Sequence, residues 1–102
     1  MLTVPSSRPC YAASSMNDPA TSFEHVVRFV NVDPTENRFR FYELRWQATL
    51  WGGVAVVRVW GRLGTPGHAR VREYPDRAAA APDVERAVRR RLRRGYRLVA
   101  AR

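Results

Sequence analysis

The stretch Val54-Ala-Val-Val-Arg-Val-Trp-Gly-Arg62 decides the fold, because its composition is that of a β-strand with two chemically different faces. One face carries only small and branched aliphatic side chains, those of Ala55, Val57 and Val59. The other face carries an indole between two guanidinium groups, in the order Arg58, Trp60 and Arg62. We predict that the aliphatic face packs on the core and that the indole face meets solvent.

Two further strands are predicted before this stretch. Phe23–Val32 is rich in valine and phenylalanine, and it ends in the turn-forming sequence Asp33-Pro34-Thr35-Glu36-Asn37. Arg38–Gln47 follows as the next strand. Its alternate positions place three large apolar side chains on one face, those of Tyr42, Leu44 and Trp46. This order of strand, turn and strand predicts antiparallel neighbours.

A fourth strand is predicted after the central stretch. The segment Gly64-Thr65-Pro66-Gly67 has the residues of a turn, and Ala69–Tyr74 follows it with strand composition. Ala69 and Val71 share one face of that strand, and Arg70 and Arg72 share the other.

A helix is predicted over Arg77–Arg94, with Asp76 as its N-cap and Gly95 at its end. Pro82 either kinks this helix at Ala81 or marks the start of its regular part. At 100° per residue one face is apolar and consists of Ala80, Val84, Ala87, Val88 and Leu92. The opposite side carries arginines, among them Arg86, Arg89, Arg90 and Arg93.

The order of these elements predicts an α+β domain. Tyr96–Ala100 forms a short closing strand in which Leu98 or Val99 is buried. We therefore expect an antiparallel β-sheet of about five strands, with one α-helix from the C-terminal half packed on a face. Residues 1–22 are rich in serine, proline and alanine and are predicted to form a disordered tail, so that residues 23–102 form the domain.

The charge of the chain indicates a polyanionic partner. All 18 basic residues are arginine, and nine acidic residues give a net charge of +9. Residues 38–102 hold 16 arginines and five acidic residues, a net charge of +11. A small domain this positive attracts polyanions, of which nucleic acid is the commonest, and we expect DNA rather than RNA.

The residues with catalytic chemistry are few. His25 and His68 are the two histidines, and Cys10 is the single cysteine. No spacing of histidine, cysteine and carboxylate residues predicts a metal site, and Gly61–Gly67 lacks the lysine of a phosphate-binding loop. We therefore expect a protein that is not an enzyme and that has no metal and no cofactor.

The sequence contains no stretch typical of membrane insertion or export. No segment approaches the roughly 20 apolar residues of a membrane span. The first ten residues do not combine a charged start with a continuous apolar run, and one cysteine forms no disulfide framework. We expect a cytoplasmic protein without a membrane partner.

A family resemblance emerges from the residues in their order along the chain. Trp60-Gly61-Arg62-Leu63-Gly64, followed by Gly67, resembles the signature of the WGR domain, which is named for that tripeptide. The resemblance extends over about residues 23–99. It includes Arg38–Leu44, the glycine pair before the central strand, Tyr74-Pro75, the helix alanine Ala80 and the closing Arg94-Gly95-Tyr96-Arg97.

The resemblance implies a nucleic-acid-binding module with five antiparallel strands and one helix. WGR domains occur in poly(ADP-ribose) polymerases and in short stand-alone bacterial proteins, and in the polymerases the domain engages the 5′ end at a DNA break. Carried over to this chain, the tryptophan that packs on the terminal sugar is Trp60, and the arginine that contacts phosphate or a neighbouring domain is Arg62. The chain departs from the family at His68, where glutamine is common, and at Arg91, where lysine is usual.

Taken together, the residues and the resemblance predict a nucleic-acid-binding surface. Its members are Trp60, Arg62, Arg58, Arg70, Arg72, His68, Arg90 and Arg94. Guanidinium groups pair with phosphate, and an indole stacks on a base or a sugar. An alternative function is that of a protein-interaction adaptor that uses the same tryptophan and arginine surface.

The sequence also allows purely structural explanations for these residues. Trp60 can be a partly buried tryptophan that closes the sheet edge. Arg62 can form an ion pair with Glu43 or Glu73. The arginines of residues 86–94 can be a solvated helix face, and His68 can be an ordinary loop residue.

Overall fold

The computed structural model describes residues 20–102, and its elements follow the predicted order. The strands are β1, β2, β3, β4 and β5, which span Val26–Asp33, Arg38–Ala48, Val54–Arg62, His68–Tyr74 and Arg97–Ala101. One α-helix, α1, spans Arg77–Arg93 between β4 and β5. The fold is therefore α+β, with a five-stranded antiparallel sheet and one helix in the C-terminal half.

The strands lie in the order β4-β3-β2-β1-β5, and every neighbouring pair is antiparallel. β1, β2 and β3 are each paired with the next strand along the chain, whereas β5 returns to the free side of β1, so that β4 and β5 are the two edge strands. The backbone N–H groups of His25 and Val26 donate to the Arg102 carbonyl at 2.6 and 2.9 Å. The C-terminal strand thereby closes the sheet beside its first strand.

The turn between β1 and β2 is a single 3-10 turn over Pro34–Glu36. Asp33 caps it by accepting hydrogen bonds from the Thr35 hydroxyl at 2.6 Å and from the Thr35 N–H at 3.2 Å. The hydroxyl bond is the main cause that holds the pKa of Asp33 below its ordinary value. Asn37 ends the turn in the left-handed conformation, which asparagine tolerates.

The helix begins where the sequence predicts. The Asp76 carboxylate accepts from the Ala79 N–H at 2.8 Å, which satisfies one of the open donors of the first turn. Pro82 lies inside the helix, which already runs from Arg77. The prediction that the regular part might begin at Pro82 is therefore wrong, because the Asp76 cap nucleates the helix one turn earlier.

The helix covers the face of the sheet that the sequence assigned to solvent. Val56 is buried with Val84 and Val88, and the half-buried Trp60 packs against the same cluster. Val57 and Val59 are only half-buried, on the opposite face. The prediction of a wet Trp60 face is therefore wrong, and of the predicted core face Ala55 is buried, at 4% exposed, whereas Val57 and Val59 are not. Alternation fixes which side chains share a face but not which face receives the helix.

The same packing corrects the prediction for Leu92 and selects between the two alternatives that the sequence left for β5. Leu92 is 43% exposed and does not complete the apolar face of the helix, because Arg91 lies on Tyr42 and Tyr96 beside it. In β5 the side chain that packs on the core is that of Leu98, whereas Val99 is 46% exposed. The sequence alone did not show whether Leu98 or Val99 was the buried residue.

The face opposite the helix contains a buried acidic residue. Glu43 is 5% exposed, and its carboxylate accepts from Arg28 at 3.0 Å and from Arg45. The Arg28 guanidinium carbon lies 4.5 Å from the centroid of the Phe41 ring. Ion pairing and cation–π contact allow charged side chains to cover this face without leaving a buried charge unpaired.

The predicted tail, residues 1–22, lies outside the described residues except for its last three. Of those three, Ala20 is buried in the cluster beneath the helix, where Phe23 also stacks on Trp46 at a centroid distance of 5.9 Å. Within residues 20–102 no helix is both long and apolar enough to cross a membrane.

Candidate functional site

Trp60 lies in a groove at the end of β3. The groove has a volume of about 480 Å³, and we call it the Trp60 groove. The His68 ring, directly opposite in β4, lies 5.8 Å from the indole centroid at an interplanar angle of 38°. The other side chains of the groove come from β2, β3, α1 and the connections before β2 and β5, and are those of Asn37, Phe39, Arg40, Arg62, Arg91 and Tyr96.

The glycines of the motif allow the loop after β3 to fold back on Trp60. Gly67 has a φ of +75°, and a Cβ placed there would overlap the Trp60 carbonyl oxygen and lie 2.8 Å from Phe41 Cζ. A Cβ on Gly61 would lie 2.8 Å from the Gly67 Cα. The backbone of the loop therefore packs directly against the end of β3, which brings His68 beside the indole.

Arg62 is exposed at the edge of the Trp60 groove. Its guanidinium donates to the Asn37 backbone carbonyl at 3.5 Å and to the Asn37 side-chain oxygen at 3.4 Å. The predicted alternative of an ion pair with Glu43 or Glu73 is wrong, because Glu43 pairs with Arg28 and Arg45, and Glu73, opposite Ala55 in the register, lies on the other face of the sheet. Within residues 20–102 Arg62 has no carboxylate partner, so its charge stays available to an anion.

Three more of the predicted site residues meet in a second depression, which lies between the helix and strands β3 and β4. We call it the arginine cleft, and its volume is about 180 Å³. Arg58 comes from β3, Arg72 from β4 and Arg90 from the last turn of α1. The rest of its wall is formed by Tyr42, Asp83, Arg86, Ala87 and Arg91.

Among residues 20–102, Asp83 is the one carboxylate that lines the arginine cleft. It lies 3.7 Å from Arg72, contacts Arg86, and accepts a hydrogen bond from the Tyr74 hydroxyl at 2.7 Å. Arg58 and Arg90 have no carboxylate partner in the described part of the chain. The cleft therefore carries more positive charge than its own residues neutralise.

The two remaining predicted site residues lie apart from both depressions. Arg70 is exposed on β4, opposite Arg58 in the register, and lines neither of them. Arg94 is the C-cap of α1, and its backbone carbonyl accepts from Asn31 at 3.1 Å. Arg94 lines a third pocket, together with Arg38, Arg40 and Tyr96.

Sequence reasoning missed Arg91 as a member of the site. Arg91 lines the Trp60 groove, the arginine cleft and the pocket at Arg94. Its guanidinium carbon lies 4.2 Å from the centroid of the Tyr42 ring and 5.5 Å from that of Tyr96. Its position at the edge of the apolar helix face is the signal that could have placed it near the sheet.

Metal chemistry has no support in this part of the chain. Across residues 20–102, histidine and acidic side chains form no group of three or more that could hold an ion. The chemistry that the grooves offer is that of guanidinium donors, an indole and two tyrosine rings. Such a surface binds anions and flat or sugar-like groups.

Comparison with known proteins adds a family and one relative. The sequence model of the WGR domain matches residues 25–101. A curated relative, the uncharacterized protein y4dW of Sinorhizobium fredii, is 32% identical over 66 residues, which are 65% of this chain and 32% of the relative. The chain thus spans about a third of the length of that relative. No solved structure gives a significant match.

Proposed function

Because this chain belongs to the WGR domain family, a family of non-catalytic nucleic-acid-binding modules, we propose that it binds DNA and recognises 5′ ends at breaks. The binding unit is the domain of residues 23–102, and the contact surface is the Trp60 groove together with the exposed arginines beside the helix. It acts without a cofactor and without chemistry of its own.

The observation that supports this proposal best is the position of Trp60 beside unpaired cations. The indole is half-buried, so its position is fixed by packing, but one side of it lines an open groove. Arg62 on the same side has no carboxylate partner within residues 20–102. A fixed ring next to a free guanidinium fits a nucleotide, which offers a sugar or base next to a phosphate.

The predicted site residues take different roles in this proposal. Trp60 packs on the terminal sugar, Arg62 contacts a phosphate, and His68 extends the stacking surface. The remaining arginines strengthen the positive field that attracts the duplex, and these are Arg58, Arg70, Arg72, Arg90 and Arg94.

The test compares two matched DNA circles across a salt series. One is a closed circular duplex, and the other is the same circle with a single 5′-phosphorylated nick. We expect a preference for the nick that persists at moderate salt, because stacking on an end is less sensitive to salt than phosphate attraction. Equal affinity for both circles, lost near physiological salt, would contradict recognition of 5′ ends. The protein would then bind DNA only through nonspecific attraction between arginines and phosphates.

Variants of two tryptophans show whether Trp60 causes the preference. Trp60→Leu is expected to abolish the nick preference, whereas Trp51→Leu is expected to keep it. Trp51 is a matched control because it is 88% exposed at the β2–β3 turn, at the opposite end of β3. His68→Ala removes the ring next to the indole at an exposed position, so it tests the same groove if Trp60→Leu fails to fold.

A protein-interaction adaptor is the second candidate function, and one observation favours it. Leu50 and Trp51 are 95% and 88% exposed in the turn between β2 and β3. Large apolar side chains at such exposure are typical anchors of protein interfaces. Binding to a protein through these anchors changes little with salt, whereas phosphate-dominated binding falls steeply, so the salt series separates the two functions.

A further inference from the structure

The arginine cleft contains more arginines than its carboxylate can neutralise. Five arginines line it, and the single carboxylate of Asp83 contacts two of them, Arg72 and Arg86. Arg58, Arg90 and Arg91 have no carboxylate partner within residues 20–102. Like charges held at one place repel each other, so such a cluster is stable mainly when a counter-charge joins it.

Arg91 is held in place without using its hydrogen-bond donors. The rings of Tyr42 and Tyr96 fix its guanidinium by cation–π contact. Its Nε is buried and has no hydrogen-bond partner within residues 20–102. An unsatisfied buried donor is unusual in folded proteins. This Nε is itself closed to a ligand, so an anion in the cleft would meet the terminal Nη groups of a guanidinium that the two rings already orient.

The helix dipole explains only part of this cluster. Basic residues favour the last turn of a helix, which accounts for Arg90 and Arg91. It does not account for Arg58 on β3, which faces the same space from the sheet and is half-buried. Convergence of guanidinium groups from a helix and a strand on one cleft is the arrangement that binds a multivalent oxyanion.

We propose that the arginine cleft is a phosphate-binding site, distinct from the Trp60 groove, in which Arg58, Arg90 and Arg91 donate to the phosphate oxygens. A cleft of about 180 Å³ accommodates a phosphate or a diphosphate group. Two sources offer this chemistry, namely the backbone of a nucleic-acid strand and a phosphorylated small molecule.

The geometry links the site to the Trp60 groove. Arg58 and Trp60 lie two residues apart on the same side of β3, or about 6.6 Å along the strand. Arg91 lines both depressions. This separation is comparable to the spacing of neighbouring phosphates on one strand. Assignment of the site to the DNA backbone rests on the proposed function, whereas the phosphate site itself does not.

The first experiment measures binding of inorganic pyrophosphate by calorimetry at low ionic strength. We expect saturable binding by the wild-type protein and at least a tenfold loss of affinity in Arg58→Gln and in Arg90→Gln. Arg90 is exposed, so its replacement leaves the core intact. The matched control is Arg93→Gln, an exposed arginine of the same helix turn that does not line the cleft, and its affinity should stay within twofold.

The second experiment uses the nicked DNA circle and identifies the source of the phosphate. If the cleft holds a backbone phosphate, Arg90→Gln lowers the slope of log affinity against log salt by about one contact. If Arg90→Gln weakens pyrophosphate binding but leaves the salt slope of DNA binding unchanged, the site takes a phosphorylated small molecule. If the protein binds pyrophosphate but no DNA, the site stands and the proposed function fails.

Two results would overturn the phosphate site. One is the absence of saturable pyrophosphate binding by the wild-type protein. The other is an equal loss of affinity in Arg93→Gln and Arg90→Gln, because a diffuse positive surface, and not the cleft, would then attract the anion.

Discussion

At the scale of single residues, the arginines of this chain fall into two groups that composition does not separate. Arg28 and Arg45 neutralise the buried Glu43, and Arg72 and Arg86 contact Asp83. A second group, which includes Arg62 and Arg91, has no carboxylate partner within residues 20–102. Only this second group has its full charge available for a ligand.

Arg62→Ala tests that distinction on DNA binding. We expect weaker binding and a fall of about one in the slope of log affinity against log salt, because one phosphate contact is lost. The control is Arg102→Ala, an exposed arginine beside Val26 at the opposite end of the sheet. Titration of the nicked duplex at four or more salt concentrations gives both slopes. An unchanged slope for Arg62→Ala would contradict a phosphate contact.

Gly67→Ala tests how the glycines position the Trp60 groove. A methyl group at Gly67 overlaps the Trp60 carbonyl, whereas at Gly64, with a similar φ of +87°, it meets open space. We expect Gly64→Ala to lower the free energy of unfolding by about 1 kcal/mol through backbone strain alone. Gly67→Ala is expected to cost clearly more, about 3 kcal/mol. Urea denaturation measures both, and equal costs would contradict the close contact.

At the scale of elements, the site is built from residues of both the sheet and the helix. β3 and β4 supply Trp60 and His68 at a fixed register, and α1 brings Arg91 over Tyr42. The position of α1 along the sheet is set by its first turn, since Asp76 follows β4 after a single intervening residue, Pro75. The start of the helix therefore determines where its last turn meets the sheet.

Asp76→Ala tests the start of α1. We expect the free energy of unfolding to fall by about 1 kcal/mol, because the Ala79 N–H loses its acceptor. Asp76→Ser keeps a hydrogen-bond acceptor for the Ala79 N–H. It should lower the free energy of unfolding by only a few tenths of the loss expected for Asp76→Ala. Thermal or urea denaturation followed by circular dichroism compares them, and equal destabilisation by both variants would contradict a capping role.

At the scale of the whole molecule, the charge distribution opposes folding and favours a partner. The net charge is +9, and residues 38–102 alone carry +11. The free arginines gather at the helix end and the adjoining strands, where they repel one another. A polyanion bound there removes that repulsion, so binding and stability are coupled.

Salt should therefore stabilise the free protein. We expect the thermal unfolding temperature at neutral pH to rise when NaCl increases from about 20 to about 300 mM, because screening weakens repulsion between exposed arginines. Thermal unfolding followed by circular dichroism gives the trend. A steady fall would mean that attractive ion pairs, such as those of Glu43, outweigh the repulsion.

The elements, the fold class and the family could all be predicted from the sequence. Strand alternation, the Asp76 cap and the glycines after Trp60 are local signals, because each depends on backbone geometry within a few residues. The five strands and the helix of residues 20–102 follow the predicted order, and the WGR domain resemblance agrees with the family that residues 25–101 match.

The face of the sheet that the helix covers, and the set of arginines that meet beside it, could not be predicted and follow from the tertiary packing. Strand alternation shows that Arg58, Trp60 and Arg62 share a face, but it treats the two faces of the sheet alike. It therefore could not predict that the helix packs on the Trp60 face. The arginine cleft joins Arg58 of β3 with Arg90 and Arg91 of α1, which are more than 30 residues away in sequence. Such a convergence depends on how the helix packs across the sheet, and no local pattern of the sequence encodes that packing.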